Sequence, residues 1–274
     1  MTATASKGSG SPSADGAESE HVGGEMTLFE HLRELRERLF KSAVAVAIAF
    51  TVGFVLRDQV LDLLTEPYCA LDPRLRAASA VGSECKLIFI DVTGAFFISF
   101  KAAAIVAVVL SAPVVLYQLW RFVTPGLRPV ERRYAIPFIL VTFLLFAGGA
   151  VASYFVIPAA LEFLLGFAGD RVESLMDADR YLSFILQSMI GFGLAFEFPV
   201  VLVLMSVMGI ITSEGMRRYR RHAMFGVFVA AAIITPSGDP LTMSLMAAPL
   251  MLFYEASILV ARFIERRRRS AVAG

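Results

Sequence analysis

Three carboxylates stand out in this chain of 274 residues. Glu34 lies in Thr27-Leu-Phe-Glu-His-Leu-Arg-Glu-Leu-Arg-Glu-Arg-Leu39, Glu131 in Leu119-Trp-Arg-Phe-Val-Thr-Pro-Gly-Leu-Arg-Pro-Val-Glu-Arg-Arg133, and Glu197 in Gly191-Phe-Gly-Leu-Ala-Phe-Glu-Phe-Pro-Val-Val-Leu202. A carboxylate at a membrane surface can take an incoming cation. One inside a bilayer costs about 2.5–3.5 kcal/mol on insertion scales and must find a partner helix or a wet cavity. Each acid also has a bland reading. Glu34 can pair with Arg38 one helical turn on. Glu131 can open a helix, where a carboxylate suits the dipole, with Arg128, Arg132 and Arg133 neutralising it. Glu197 can bond a Thr or a backbone group in the bundle. Glu255 and Lys101 are weaker cases of the same kind, and Lys101 can snorkel to an interface.

Other chemistry has no visible apparatus. There is no G-x-S-x-G, H-E-x-x-H or Walker loop. The three histidines, His21, His31 and His222, make no metal-binding cluster, so no metal and no cofactor is expected. Cys69 and Cys85 are too few for a disulfide scaffold; they share one loop, where a disulfide and free buried thiols both remain open.

The elements that position these residues follow from composition. The chain is 57% apolar and 18% charged, against roughly 45–50% and 25% in soluble domains. The excess lies in six blocks: 42–56, 95–120, 134–158, 181–211, 223–234 and 241–264. In lipid only helices or closed barrels satisfy their backbone, and the longer blocks exceed strand length. The expectation is an all-α integral membrane protein with six transmembrane helices, not a nucleic-acid module. The fifth block is only about 18 Å long at 1.5 Å per residue, short of a hydrocarbon core of about 30 Å. Kinks are expected at Pro113, Pro199 and Pro249.

Alternate connections differ in charge. Eighteen basic residues fall on the side of the two termini and six on the other. The positive-inside rule therefore places both termini in the cytoplasm. Residues 1–25 read as a disordered cytoplasmic tail without the layout of a cleaved signal peptide. Residues 26–265 form the six-span domain and 266–274 a basic cytoplasmic tail. Leu28, Leu32, Leu35 and Leu39 give an apolar stripe to a helix resting on the cytoplasmic interface before the first span, with Glu34 on its charged side. Val60, Leu61, Leu63 and Leu64 suit a short interfacial helix ending near Pro67, and two outer loops of this kind can form a cap.

These residues resemble the TatC family, the polytopic subunit of the twin-arginine protein translocase. The resemblance rests on His31-Leu-x-Glu-Leu-Arg-x-Arg-Leu39, Ser111-Ala-Pro-Val-Val-Leu-Tyr-Gln-Leu-Trp120, Glu131-Arg-Arg133, Tyr181-Leu-Ser-Phe184, Phe196-Glu-x-Pro199 and Thr235-Pro with Asp239-Pro. It implies a concave bundle with an outer-loop cap, no enzymatic activity, and a receptor for twin-arginine signal peptides. That receptor organises the transport of folded proteins at the expense of the proton-motive force.

The resemblance also implies roles. Glu34 and Glu131 would meet the paired arginines, each guanidinium offering a planar fork to a carboxylate. Leu35, Arg36, Arg38 and Phe122 would line that site. Glu197, Pro67 and Thr235 would serve contact with the small subunits TatA and TatB in a multimeric TatBC complex. Three features depart from the family pattern: the acid Glu37, Met243 where a Gln is frequent, and a longer hairpin before Asp239. The alternative reading is an ion- or proton-coupled small-molecule transporter using Glu197. An intramembrane enzyme is weaker still.

Overall fold

The computed structural model describes residues 28–71, 87–88, 90–123, 135–167 and 176–273. Helices follow in the order α1 (Leu28–Val55), α2 (Arg57–Cys69), α3 (Gly94–Val123), α4 (Ala135–Gly166), α5 (Ala178–Phe196), α6 (Phe198–Val207), α7 (Ser213–Arg218), α8 (Arg220–Ile234) and α9 (Pro240–Ala273). Five stretches are long and apolar enough to cross a membrane: Phe29–Val55, Gly94–Phe122, Pro137–Gly166, Ala178–Val207 and Pro240–Arg267. The sixth span is α8, with 15 residues, or about 22 Å. Among the described residues the one β interaction is a parallel bridge between Ile88 and Asp177. This is the expected all-α membrane bundle, its fifth span short as read from the chain.

The start of the chain differs from expectation in one respect. Residues 28–55 form a single helix, so the amphipathic segment continues directly into the first span. No Pro or Gly interrupts Leu28 to Val52, and nothing breaks the hydrogen-bond ladder. The leucine stripe lies away from α3. Leu32, Leu35 and Leu39 are 60%, 42% and 67% exposed. Facing α3 instead is a stripe of polar and small residues at spacings of three and four: His31, Glu34, Arg38, Ser42, Ala45, Ala49 and Gly53. Lipid tails are as apolar as leucine, so leucines gain little by packing inward, whereas small and polar side chains let helices approach and bond. At Gly53 a Cβ would lie 2.6 Å from the Ala103 carbonyl oxygen.

Pro113 and Pro249 lie inside continuous helices α3 and α9. At Pro199 the ladder breaks: α5 ends at Phe196 and α6 begins at Phe198, since Pro199 has no N–H for the carbonyl four residues back.

The cap forms from α2 and the segments around Ile88 and Asp177. α2 runs two residues past Pro67, which is buried inside it. Leu64, Tyr68 and Leu71 join Ile105, Ile157, Leu161, Tyr181, Leu182 and Ile185 in one core. Tyr181 donates its hydroxyl to the Leu64 carbonyl (2.7 Å) and Tyr154 to that of Leu63 (3.1 Å). The Ala178 N–H reaches the Ile88 carbonyl at 2.7 Å, tying the two loops together. Cys69 is half-buried and disulfide-bonded; Cys85 lies outside the described residues.

Candidate functional site

The end of the bundle that carries Glu34 is assembled by α1 and α3. His31 stacks on Phe122, ring centroids 4.4 Å apart and planes 21° from parallel. This fixes the first turns of α1 against the last turn of α3. Arg38 donates Nε to Glu34 Oε1 at 2.9 Å and a second guanidinium N–H to the same oxygen. Its remaining nitrogen faces Gln118 Oε1 on α3 at 3.4 Å. Both side chains are largely covered, at 14% for Arg38 and 18% for Glu34. Glu34 Oε2 is enclosed and has no hydrogen-bond partner. One oxygen is thus occupied by a cation from its own helix, and the other is left without a bond.

The pairing of Glu34 with Arg38, read from sequence as the bland alternative, is present. It leaves half of the carboxylate unused, so it does not account for the whole group. Leu35 and Arg36 lie off the α3-facing stripe and are exposed. Phe122 is half-buried. Glu131 lies outside the described residues. Two further participants, His31 and Gln118, were not singled out as site residues. Gln118 had a signal: it is a polar residue in an apolar run, one turn before Phe122 and so on its face of α3. The departure Glu37 is exposed and pairs with Lys41 at 2.6 Å.

Trp120, near the end of α3 where aromatic residues commonly line a membrane interface, is only 5% exposed. It donates Nε1–H to Thr142 Oγ1 on α4 at 2.8 Å and lies 5.2 Å from the Phe138 ring. The indole N–H had a partner within the bundle, which removes its reason to seek water. This anchors the end of α3 to α4.

Glu197 sits at the break between α5 and α6, half-buried, with Oε1 enclosed and without a partner. Phe196 and Phe198 on either side pack on Phe253 and Tyr254 of α9, which holds the break in place. Counting residues, Glu197 is nineteen from Ala178 and ten from Val207, about 29 Å and 15 Å along the axis. It lies nearer the Glu34 end than the midpoint. Thr235 is buried at the end of α8, its hydroxyl donating to the Ala231 carbonyl at 2.7 Å. Pro67 and Thr235 therefore act within their own helices here. Lys101 does not snorkel: it bonds the Asp179 carboxylate and carbonyl, linking α3 to the start of α5. Glu255 pairs with Arg220 at 2.5 Å. Among the described residues no group of His, Cys, Asp and Glu could hold a metal ion.

The fold and this polar seam define a polytopic helical membrane protein with carboxylates presented at one end and at a helix break. Residues 30–249 match the family profile described as Sec-independent protein translocase protein (TatC). The chain is 41% identical over 244 residues to the Sec-independent protein translocase protein TatC of Frankia casuarinae, covering 88% of this chain and 67% of that protein. It is 39% identical to the TatC of Carboxydothermus hydrogenoformans, covering 89% and 96%. A solved structure described as the twin arginine translocase receptor TatC in DDM superposes with a TM-score of 0.70 at 39% identity, covering 85% of this chain and 99% of that one. The chain belongs to the TatC family. It is a multi-span membrane component of a protein translocase, a transport subunit rather than an enzyme.

Proposed function

We propose that this protein is the signal-peptide receptor and organising core of a twin-arginine translocase. Glu34 and Glu131 receive the two arginines, with Phe122, Leu35, Arg36 and Arg38 around them. The observation that carries the reading is the enclosed, unpartnered Oε2 of Glu34 beside the His31–Phe122 stack. A guanidinium entering there would complete the carboxylate's hydrogen bonding, and charge-assisted bonds of this kind contribute about 1.5–3 kcal/mol. A lysine ammonium lacks the planar fork, so arginine is selected. The charge bias of the connecting loops supports a cytoplasmic location for this end and for both termini.

The free Oε1 of Glu197 supports a second contact, with a polar group on a span of TatA or TatB, and Pro67, Thr235 and a Cys69–Cys85 disulfide would serve assembly and cap stability. Transport would draw on the proton-motive force, and membership of a protein-transport family leaves the small-molecule transporter reading of Glu197 without support. A bundle of six helices is too small to enclose a passage for a folded domain, so the other subunits would complete the route.

The test is a photocrosslinker placed beside Glu34 or Glu131. A peptide bearing Arg-Arg should be captured and its Lys-Lys counterpart should not; equal capture removes the receptor assignment. For Glu197→Ala, insertion should be normal and copurification of the small subunits reduced. Unchanged copurification would count against the assembly role.

A further inference from the structure

The first turn of α8 lies well inside the level at which its neighbours end. The Pro199 carbonyl of α6 accepts from Ser257 of α9 at 3.4 Å, and α6 then runs eight residues further, to Val207. That is about 12 Å of additional helix. From there the chain doubles back along α9. Ser213 bonds the Glu265 carboxylate through its N–H (2.7 Å) and its hydroxyl (2.6 Å). The Met216 carbonyl accepts from the Tyr254 hydroxyl at 2.7 Å, and Arg220 pairs with Glu255. Ten residues of α9 separate Glu265 from Glu255, about 15 Å. α7 thus delivers Arg217, Arg218, Arg220 and Arg221 to a ledge recessed by that distance on the side of the bundle.

The ledge is short of negative charge. Of these four arginines, Arg220 alone has an acidic partner among the described residues. Arg217, Arg218 and Arg221 are exposed, and Glu214, one turn before Arg218, forms no ion pair with it. What lies next to the arginines is apolar. Tyr219 and Phe225 are 59% and 72% exposed, and Phe225, Phe228, Val229 and Ile233 form one exposed stripe along α8 that continues the face of Arg221. Guanidinium groups at the head of an uncovered apolar stripe match the two ends of an amphiphile. A water-soluble anion would use only the first.

We propose that this ledge binds an anionic phospholipid, its headgroup phosphate among Arg217, Arg218 and Arg221 and its acyl chains along Phe225, Phe228 and Ile233. Basic clusters beside membrane helices attract anionic headgroups in this way. The inference is independent of the signal-peptide reading, because it concerns a different surface and a different ligand.

The experiment uses the full chain in a neutral detergent, titrated with phosphatidylglycerol or with phosphatidylcholine of the same chains, and reads bound lipid by native mass spectrometry. Phosphatidylglycerol should bind and phosphatidylcholine should not. Arg218→Gln/Arg221→Gln should weaken binding by about thirtyfold, while Arg57→Gln/Arg180→Gln, at the other end of the bundle, should leave it unchanged. Equal weakening in both double variants, or equal binding of the two lipids, overturns the proposal. Displacement of phosphatidylglycerol by millimolar inorganic phosphate also overturns it, assigning the arginines to a free anion. If the double variant does not purify folded, Arg221→Lys should retain binding and Arg221→Gln should lose severalfold; the same affinity in both would refute the site.

Discussion

α1 meets the bundle mainly along α3, and 11% of its apolar stretch is buried. The span formed by α5 and α6 has 44% of its apolar stretch buried and is enclosed by α3, α4, α8 and α9. The contact between α4 and α5 is close enough that a Cβ at Gly149 would lie 2.5 Å from the Phe192 carbonyl oxygen. The two regions divide the work. The dense half, with the cap resting on it, fixes α3 in place through Lys101–Asp179 at one end and Trp120–Thr142 at the other. The thin half carries His31, Glu34 and Arg38 on the face of α1 that meets α3, with one oxygen of Glu34 enclosed there without a partner.

The contrast can be broken at several points. The largest effect is expected at Gly149→Leu, which forces the α4–α5 backbones apart and should cost about 3 kcal/mol or more in thermal unfolding. One residue earlier, nothing lies within 4 Å of a Cβ at Gly148, and Gly148→Ala should stay within about 0.5 kcal/mol. Equal losses at the two sites would show that close helix approach is not what holds the dense half together.

Next comes Glu34→Gln in the thin half. Affinity for an Arg-Arg peptide should fall about tenfold or more, with the unfolding midpoint little changed. A fall in the midpoint without loss of affinity would make the Glu34–Arg38 pair purely structural.

Tyr181→Phe removes the bond from the bundle to α2 and should cost about 1 kcal/mol. Faster amide exchange confined to α2 would locate the loss in the cap, whereas uniform exchange would merge the cap with the core.

An effect of similar size is expected at Asp239, which precedes Pro240 at the start of α9. Burial acts to raise its carboxyl, but the bonds from the Ser237 hydroxyl and the Thr242 backbone N–H outweigh it and hold it below the usual aspartate range. A carboxyl lowered in the folded state contributes stability above the ordinary aspartate value, lost as pH falls through its lowered native value. Asp239→Ala should therefore cost about 1 kcal/mol at neutral pH and flatten the acid limb of the stability profile. An unchanged acid limb would remove Asp239 from that account.

Much of the architecture was legible in the chain. Block lengths and the absence of strand-length runs gave the helices, the short block at 223–234 gave α8, and loop composition pointed to the cap. The leucine stripe of 28–39, read as the apolar side of an interfacial helix, stays uncovered by the bundle, since beside lipid the apolar face can turn outward. The burial of Trp120 was not legible, because its partner Thr142 is twenty-two residues away and nothing local announces it. Of the candidate site, the acids were legible by type and by the motifs around them. His31 was not, and Gln118 showed only as a polar residue in an apolar run, since their part depends on how α1 meets α3.

The amino-acid order alone determined that this is a helical membrane protein, where its spans run, and which acids lie in apolar or basic surroundings, since hydropathy and charge are local properties that a bilayer reads segment by segment. Tertiary packing decided which face of α1 meets α3, that one oxygen of Glu34 is satisfied and the other is not, and that α7 folds back to recess the arginines at the start of α8. Those outcomes depend on contacts between residues far apart in the chain, and such contacts exist only once the helices have met.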